Sequence, residues 1–169
     1  PVLIQKGATK LALYGLGHVR DERLSRCFER KSVTVCRPAD DEEEWFSVLA
    51  LHQNRHQRGA GQVVKGYVHE AALPSCMDLV VWGHEHECQL APDADGNAMP
   101  NLTPSVHNPN FTVIQPGSSV ATALVDGESR PKHVAILQLH KQQWKLDAIP
   151  LRTVRPFLMR DVTLADHDG

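Results

Sequence analysis

Leu79-Val80-Val81-Trp82-Gly83-His84-Glu85-His86-Glu87-Cys88 decides how the rest of the chain reads. Leu79 to Trp82 is a short apolar run with paired β-branched residues, the pattern of a buried strand. It ends at a glycine, and two imidazoles follow two residues apart. In α/β folds, strands deliver functional side chains to turns at their carboxyl ends. Imidazole is a good ligand for divalent metals, and Gly83 lets backbone and ligand approach closely.

A second apolar run, Trp45 to Leu51, reads as another buried strand and passes directly into His52. If the two strands share a sheet and point the same way, His52, His84 and His86 converge at one rim. An isolated His-x-His is more often surface or hydrogen-bonded histidine than a metal site. A second strand that also ends in histidine strengthens the metal reading.

The flanking segments supply a scaffold. Thr9 to Gly15 reads as a strand ending in Gly15-Leu16-Gly17. Asp21-Glu22 opens a short helix with acidic residues at its amino end and an apolar stripe of Leu24, Cys27 and Phe28. Ser32 to Cys36 is β-branched and predicts a strand. Asp40 to Glu44 is read as a solvated acidic run rather than a metal site, and Gln57 to Gln62 as a loop. Val63 to Leu73 is expected to form a short helix. Gln89-Leu90-Ala91 and Phe111 to Gln115 are expected strands. Pro92 to Pro109 reads as a long irregular loop. His133 to His140 and Trp144 to Ile149 alternate as a hairpin does, and Phe157 to Leu164 begins a further strand. The fold class predicted is α/β (α+β), part of a layered β-sandwich with outer helices.

The 169 residues, 41% hydrophobic with a net charge of −2, fit one domain or most of one. That balance neither requires nor excludes nucleic acid. No apolar stretch has the length of a membrane span, and no signal-peptide pattern opens the chain. Four cysteines without a Cys-x-x-Cys pair are a weak framework for disulfides or zinc and suit a reducing compartment. The start at Pro1, already apolar through Val2-Leu3-Ile4, reads as a fragment of a longer protein or a processed terminus.

Gly83-His84-Glu85-His86 resembles the Gly-His-x-His motif of the calcineurin-like metallophosphoesterases, with His52 in the place of the lone histidine that precedes it there. Other segments narrow the resemblance. They are Leu13 to Gly17 with Asp21 to Leu24, His52-Gln53-Asn54-Arg55, Val80 to Cys88, Gln115 to Ser119 and Ile149 to Arg155. In this order, and spanning nearly the whole chain, they resemble the double-strand-break repair nucleases of the MRN complex (the Mre/Rad/Nbs assembly).

The resemblance implies a two-metal phosphodiesterase working with manganese (two Mn2+ ions), acting on DNA as 3'-5' exonuclease and endonuclease. Carried over residue by residue, His52 and His84 bind one ion and His86 the other. Paired cations share and activate a hydroxide and stabilise charge on the phosphate. Further implied are an SMC-like ATPase, a forkhead-associated adaptor, homodimerisation of the full-length protein and a nuclear location. Partner binding is expected of the whole protein rather than of this stretch.

The family's upstream motifs, Asp-x-His, Gly-Asp and Gly-Asn-His-Asp or Glu, are absent before His52. The bridging aspartate, an asparagine ligand and the leaving-group histidine are therefore missing. Residues 1–155 are read as the carboxyl-terminal half of a metallophosphoesterase domain, and 156–169 as the start of a DNA-capping domain. The stretch alone is expected to be inactive.

Trp45, Trp82 and Trp144 are read as packing residues rather than base-stacking platforms. Cys88 is read as a small buried residue, and Glu85 and Glu87 as pointing away from the metals. Arg55 is a possible phosphate contact. The rival functions are another metallophosphoesterase, such as a phosphatase, and a non-catalytic interaction module. Imidazole must be neutral to bind metal, so binding is expected to fall as pH drops below about 6.5.

Overall fold

The computed structural model describes residues 1–39, 44–55, 66–90, 105 and 108–163. The first strand, β1 (Val2–Lys6), turns through Gly7-Ala8 into β2 (Thr9–Leu16). Gly7 sits at φ 58°, the left-handed conformation that a two-residue hairpin turn requires. Helix α1 (Asp21–Glu29) follows, with Asp21 and Glu22 in its first turn. The chain leaves it through Lys31 at φ 53°, with Ser32 N–H bonded to Cys27 O at 2.8 Å, a Schellman-type end.

Three more strands complete the main sheet: β3 (Trp45–His52), β4 (Leu79–Gly83) and β5 (Thr112–Ile114). Its order is β1-β2-β3-β4-β5, with β1 antiparallel to β2 and every later pairing parallel. The parallel strands read as unbroken apolar runs because both of their faces are covered. Leu49, Leu51, Val80, Trp82 and Val113 point to one face, where Leu24, Val68, Leu73, Met77 and Phe111 pack on them. Phe46, Val48, Leu79 and Ile114 point to the other.

That second face is covered by the hairpin of β6 (His133–His140) and β7 (Gln143–Pro150), a separate two-stranded antiparallel sheet. Its inward residues Ala135, Leu137, Leu139, Trp144, Leu146 and Ala148 pack onto the main sheet. The expected mixed α/β class is what the structure has.

Several expected elements differ. Ser32 to Cys36 forms no strand. Its β-branched residues favour extended backbone, but β2 already pairs with β1 on one edge and β3 on the other. Of the helix expected over Val63 to Leu73, residues 66–73 hold only a 3-10 turn at Glu70–Ala72. Gly66 at φ 84° and the bridge between Arg55 and Val68 divert the backbone there, and 63–65 lie outside the described residues. Gln89 and Leu90 form no strand, although Gln89 N–H bonds to Gln115 O at 3.0 Å, and Ala91 is not described. Residues 157–163 are irregular and expose Leu158, Met159 and Val162, and Leu164 falls outside the description.

The Gln57 to Gln62 loop and most of Pro92 to Pro109 also lie outside the described residues, as does all of the acidic run except Glu44, which pairs with Lys10 at 2.6 Å. No described helix is long and apolar enough to cross a membrane.

Candidate metal centre

The adjacent parallel strands β3 and β4 end side by side, with His52 opposite Gly83 in the register. Parallel pairing is what brings the two strand ends, 31 residues apart in sequence, to one rim. His52 Nε2 and His84 Nδ1 lie 3.2 Å apart, their rings edge to face with centroids separated by 5.0 Å. Two nitrogens each about 2.1 Å from a common ion would sit roughly 3.0–3.4 Å apart in cis-octahedral or tetrahedral geometry. The observed spacing fits two neighbouring vertices of one coordination shell.

Two local features produce this approach. A Cβ on Gly83 would lie 3.0 Å from Leu51 O and 3.1 Å from His52 Nδ1, so glycine leaves the space that His52 occupies. His84 itself has φ 72°, in the left-handed region that side chains rarely adopt. Strain of that kind concentrates at functional sites, where the surrounding fold holds it in place.

His86 has different partners. Its Nδ1 lies 2.8 Å from Glu128 Oε1 and 3.1 Å from Thr122 Oγ1. Its carbonyl accepts from Ser118 N–H at 3.0 Å and from Lys132 Nζ at 3.3 Å. The Gln115-to-Ser119 turn lies tightly over this segment: a Cβ on Gly117 (φ 73°) would come within 2.6 Å of Cys88 N.

Glu128 was not singled out in the sequence, yet it is the best-connected carboxylate at the rim. It is almost fully buried. One oxygen accepts from Thr122 N–H, Thr122 Oγ1 and Ala123 N–H, and the other from Ser118 Oγ and, at 2.5 Å, from Lys132 Nζ. Burial by itself pushes the Glu128 carboxyl up, but the bonds from Lys132, Ser118 and Thr122 outweigh it and hold it well below the usual carboxylate range. The available sequence signal was Glu128 four residues before Lys132, too weak to single it out without its partners.

Asp21 does not reach the histidines. Its carboxylate accepts from Asn54 N–H at 3.1 Å and Asn54 Nδ2 at 2.7 Å, tying the segment after His52 to the start of α1. Arg55 is taken up inside the fold. Its guanidinium pairs with Glu70 Oε1 at 2.6 Å, donates to Gln115 Oε1 at 3.0 Å and stacks 5.7 Å from the Trp82 ring centroid. Ser105 Oγ donates to the other Glu70 oxygen.

Glu85, largely buried, accepts from Arg55 N–H at 2.7 Å, and Glu87 pairs with Arg130 at 2.9 Å. Trp82 is buried, its indole N–H donating to Gln53 O at 2.8 Å, and Cys88 is buried. Among the described residues, no group of three or more His, Cys, Asp or Glu side chains is placed to hold a metal ion. The residues present fit an ion only in part: His52 Nε2 and His84 Nδ1 are spaced as two of its ligands, and the described residues place no third beside them.

Comparison with known proteins finds relatives along nearly the whole chain. The chain is 50% identical over 167 residues to the double-strand break repair protein mus-23 of Neurospora crassa. It is 47% and 45% identical, also over 167 residues, to the double-strand break repair protein MRE11 of Rattus norvegicus and of Homo sapiens. The chain is homologous to these double-strand break repair proteins. The matches cover 98–99% of this chain and 20–22% of each relative, so it spans about a fifth of their length. No family model matches the chain.

Proposed function

We propose that this chain is the histidine-bearing part of a manganese-dependent nuclease acting in double-strand-break repair. The observation that carries the reading is the 3.2 Å approach of His52 Nε2 and His84 Nδ1 at the ends of adjacent parallel strands. Homology to double-strand break repair proteins along nearly the whole chain supports the biological setting.

In this reading His52 and His84 present two neutral nitrogens to one manganese ion, and His86 presents its ring to a second. Bound there, the ions would supply an activated hydroxide and Lewis-acid stabilisation of a phosphodiester. The chain's own contribution is placement. β3 and β4 fix the first two imidazoles, Gly83 gives them room, and the Gln115-to-Ser119 turn holds the His86 backbone. Three histidines bring no negative charge to balance two dications, so the reading needs a bridging carboxylate, which in the family this chain resembles comes from an upstream aspartate.

The reading extends to DNA as substrate with exonuclease and endonuclease activity, and to a nuclear location. It also extends to assembly with an SMC-like ATPase and a forkhead-associated adaptor in a homodimeric whole. Residues 156–169 would lead into a capping domain.

The test is manganese-dependent cleavage of DNA by the longer protein, with His52→Ala, His84→Ala and His86→Ala each introduced. Each substitution should abolish cleavage, and the present stretch alone should show none. Activity surviving the triple replacement would overturn the reading. Activity of the isolated stretch, lost in His84→Ala, would overturn its incompleteness.

A further inference from the structure

The geometry points to Glu128 as a positioning residue that sets the ring orientation and tautomer of His86, so that His86 offers its Nε2 lone pair to a metal ion. The inference rests on the metal reading of His86 given above, and deepens it.

The carboxylate is surrounded by groups that only donate to it. Lys132 Nζ and the backbone N–H groups of Thr122 and Ala123 have no acceptor capacity, and all three lie within 3.1 Å of a Glu128 oxygen. Glu128 is therefore an acceptor on every side. At 2.8 Å from Oε1, His86 Nδ1 must carry the proton, since the other tautomer would set a ring lone pair against a carboxylate oxygen. The Thr122 hydroxyl, 3.1 Å from Nδ1 and 3.0 Å from Oε1, satisfies itself by donating to the carboxylate. With the proton on Nδ1, the ring's lone pair is on Nε2.

The bond also fixes where the ring points. Glu128 is held by Lys132 and the Ser118 hydroxyl, and Lys132 and the Ser118 backbone N–H also bond the His86 carbonyl, so ring and backbone of His86 are referred to one rigid hub. A carboxylate bonded to the far nitrogen of a ligating histidine is the usual means of fixing its tautomer and raising its basicity. The ring stays accessible, with 42% of the side chain exposed beside a carboxylate that is fully covered. Lys132 and Glu128 would serve equally well as a purely structural pair, so the test must separate the two roles.

Long-range proton–nitrogen correlation NMR of the unsubstituted protein reads the tautomer without any metal. His86 should carry its proton on Nδ1, and a proton on Nε2 overturns the inference. Manganese titration of the longer protein, followed by electron paramagnetic resonance, reads the consequence. Glu128→Ala should weaken the site that involves His86 by about 10- to 100-fold. Glu128→Gln combined with Lys132→Met, which keeps an acceptor for Nδ1–H without setting an amide N–H against the Lys132 ammonium, should restore most of that affinity.

In a His86→Ala background, Glu128→Ala should change nothing further. An equal loss there would make Glu128 a structural brace and overturn the proposal. If His86→Ala alone leaves manganese affinity unchanged, the metal reading of His86 fails, while the NMR result still decides whether Glu128 orders the ring. Should Glu128→Ala not fold, the tautomer in the unsubstituted protein decides.

Discussion

Gly83 stands opposite His52 in the parallel register, and the missing Cβ of Gly83 is the space into which the His52 ring fits. A methyl group there would sit 3.0 Å from Leu51 O, a backbone atom held in the sheet, and 3.1 Å from the ring. Gly83→Ala should therefore destabilise the fold by about 1–3 kcal/mol through overpacking. It should also separate the two imidazoles. Urea unfolding together with manganese titration checks both effects, and unchanged stability with unchanged affinity would contradict the close-approach argument.

His84 tests the opposite relation between stability and function. Its φ of 72° puts a non-glycine residue in the left-handed region, at about 1–2 kcal/mol for most side chains. Asparagine tolerates that conformation better. His84→Asn should hold or raise stability by up to about 1 kcal/mol while manganese binding falls sharply. A loss of stability larger than 1 kcal/mol in denaturant titration would show that the His52–His84 contact contributes more than the backbone strain costs.

Arg55 is a brace in this fold. Removing its guanidinium leaves the buried Glu70 carboxylate without its cation. Arg55→Met should lower stability by about 3–5 kcal/mol, as breaking a buried ion pair does. A residue acting only through phosphate would show unchanged unfolding and weaker DNA binding, and that outcome would favour the phosphate contact over the brace.

Acid should weaken the Glu128 hub. In the fold this carboxyl is held below its ordinary value of 4.5, against burial, by Lys132, Ser118 and Thr122. A depressed carboxyl contributes stability that is complete above the unfolded value and is lost as pH falls from about 4.5 toward the folded one. Asp78 runs the other way: burial raises it above 3.8 despite the bond from Ser47 N–H, so its contribution falls as pH rises through that range. Stability measured from pH 5 to 2 should therefore drop, more steeply in Asp78→Asn and less steeply in Lys132→Met. A Lys132→Met slope as steep as that of the unsubstituted protein would contradict the role given to Lys132.

Much of the fold was legible in the sequence. β2, β3 and β4, the hairpin of β6 and β7, and helix α1 all follow from side-chain periodicity and turn residues. Those signals are local: they depend on neighbours along the chain, and the sequence prints them directly. For the same reason Leu51-His52 and Trp82-Gly83-His84 could be recognised as strand ends before any pairing was known.

The tertiary structure decided what depends on neighbours in space. Ser32 to Cys36 has strand-forming residues but cannot pair with β2, which β1 and β3 already flank. The 3.2 Å approach of His52 and His84 required the parallel register of β3 and β4. Arg55, read along the chain as a possible phosphate contact, meets a carboxylate fifteen residues away at Glu70 and an amide sixty away at Gln115. Glu128 lies 42 residues from His86, and its role exists only where Ser118, Thr122, Ala123 and Lys132 close around it. A hydrogen-bonded site is set by angles and distances between segments, and those are fixed only when the sheet and its covering hairpin pack.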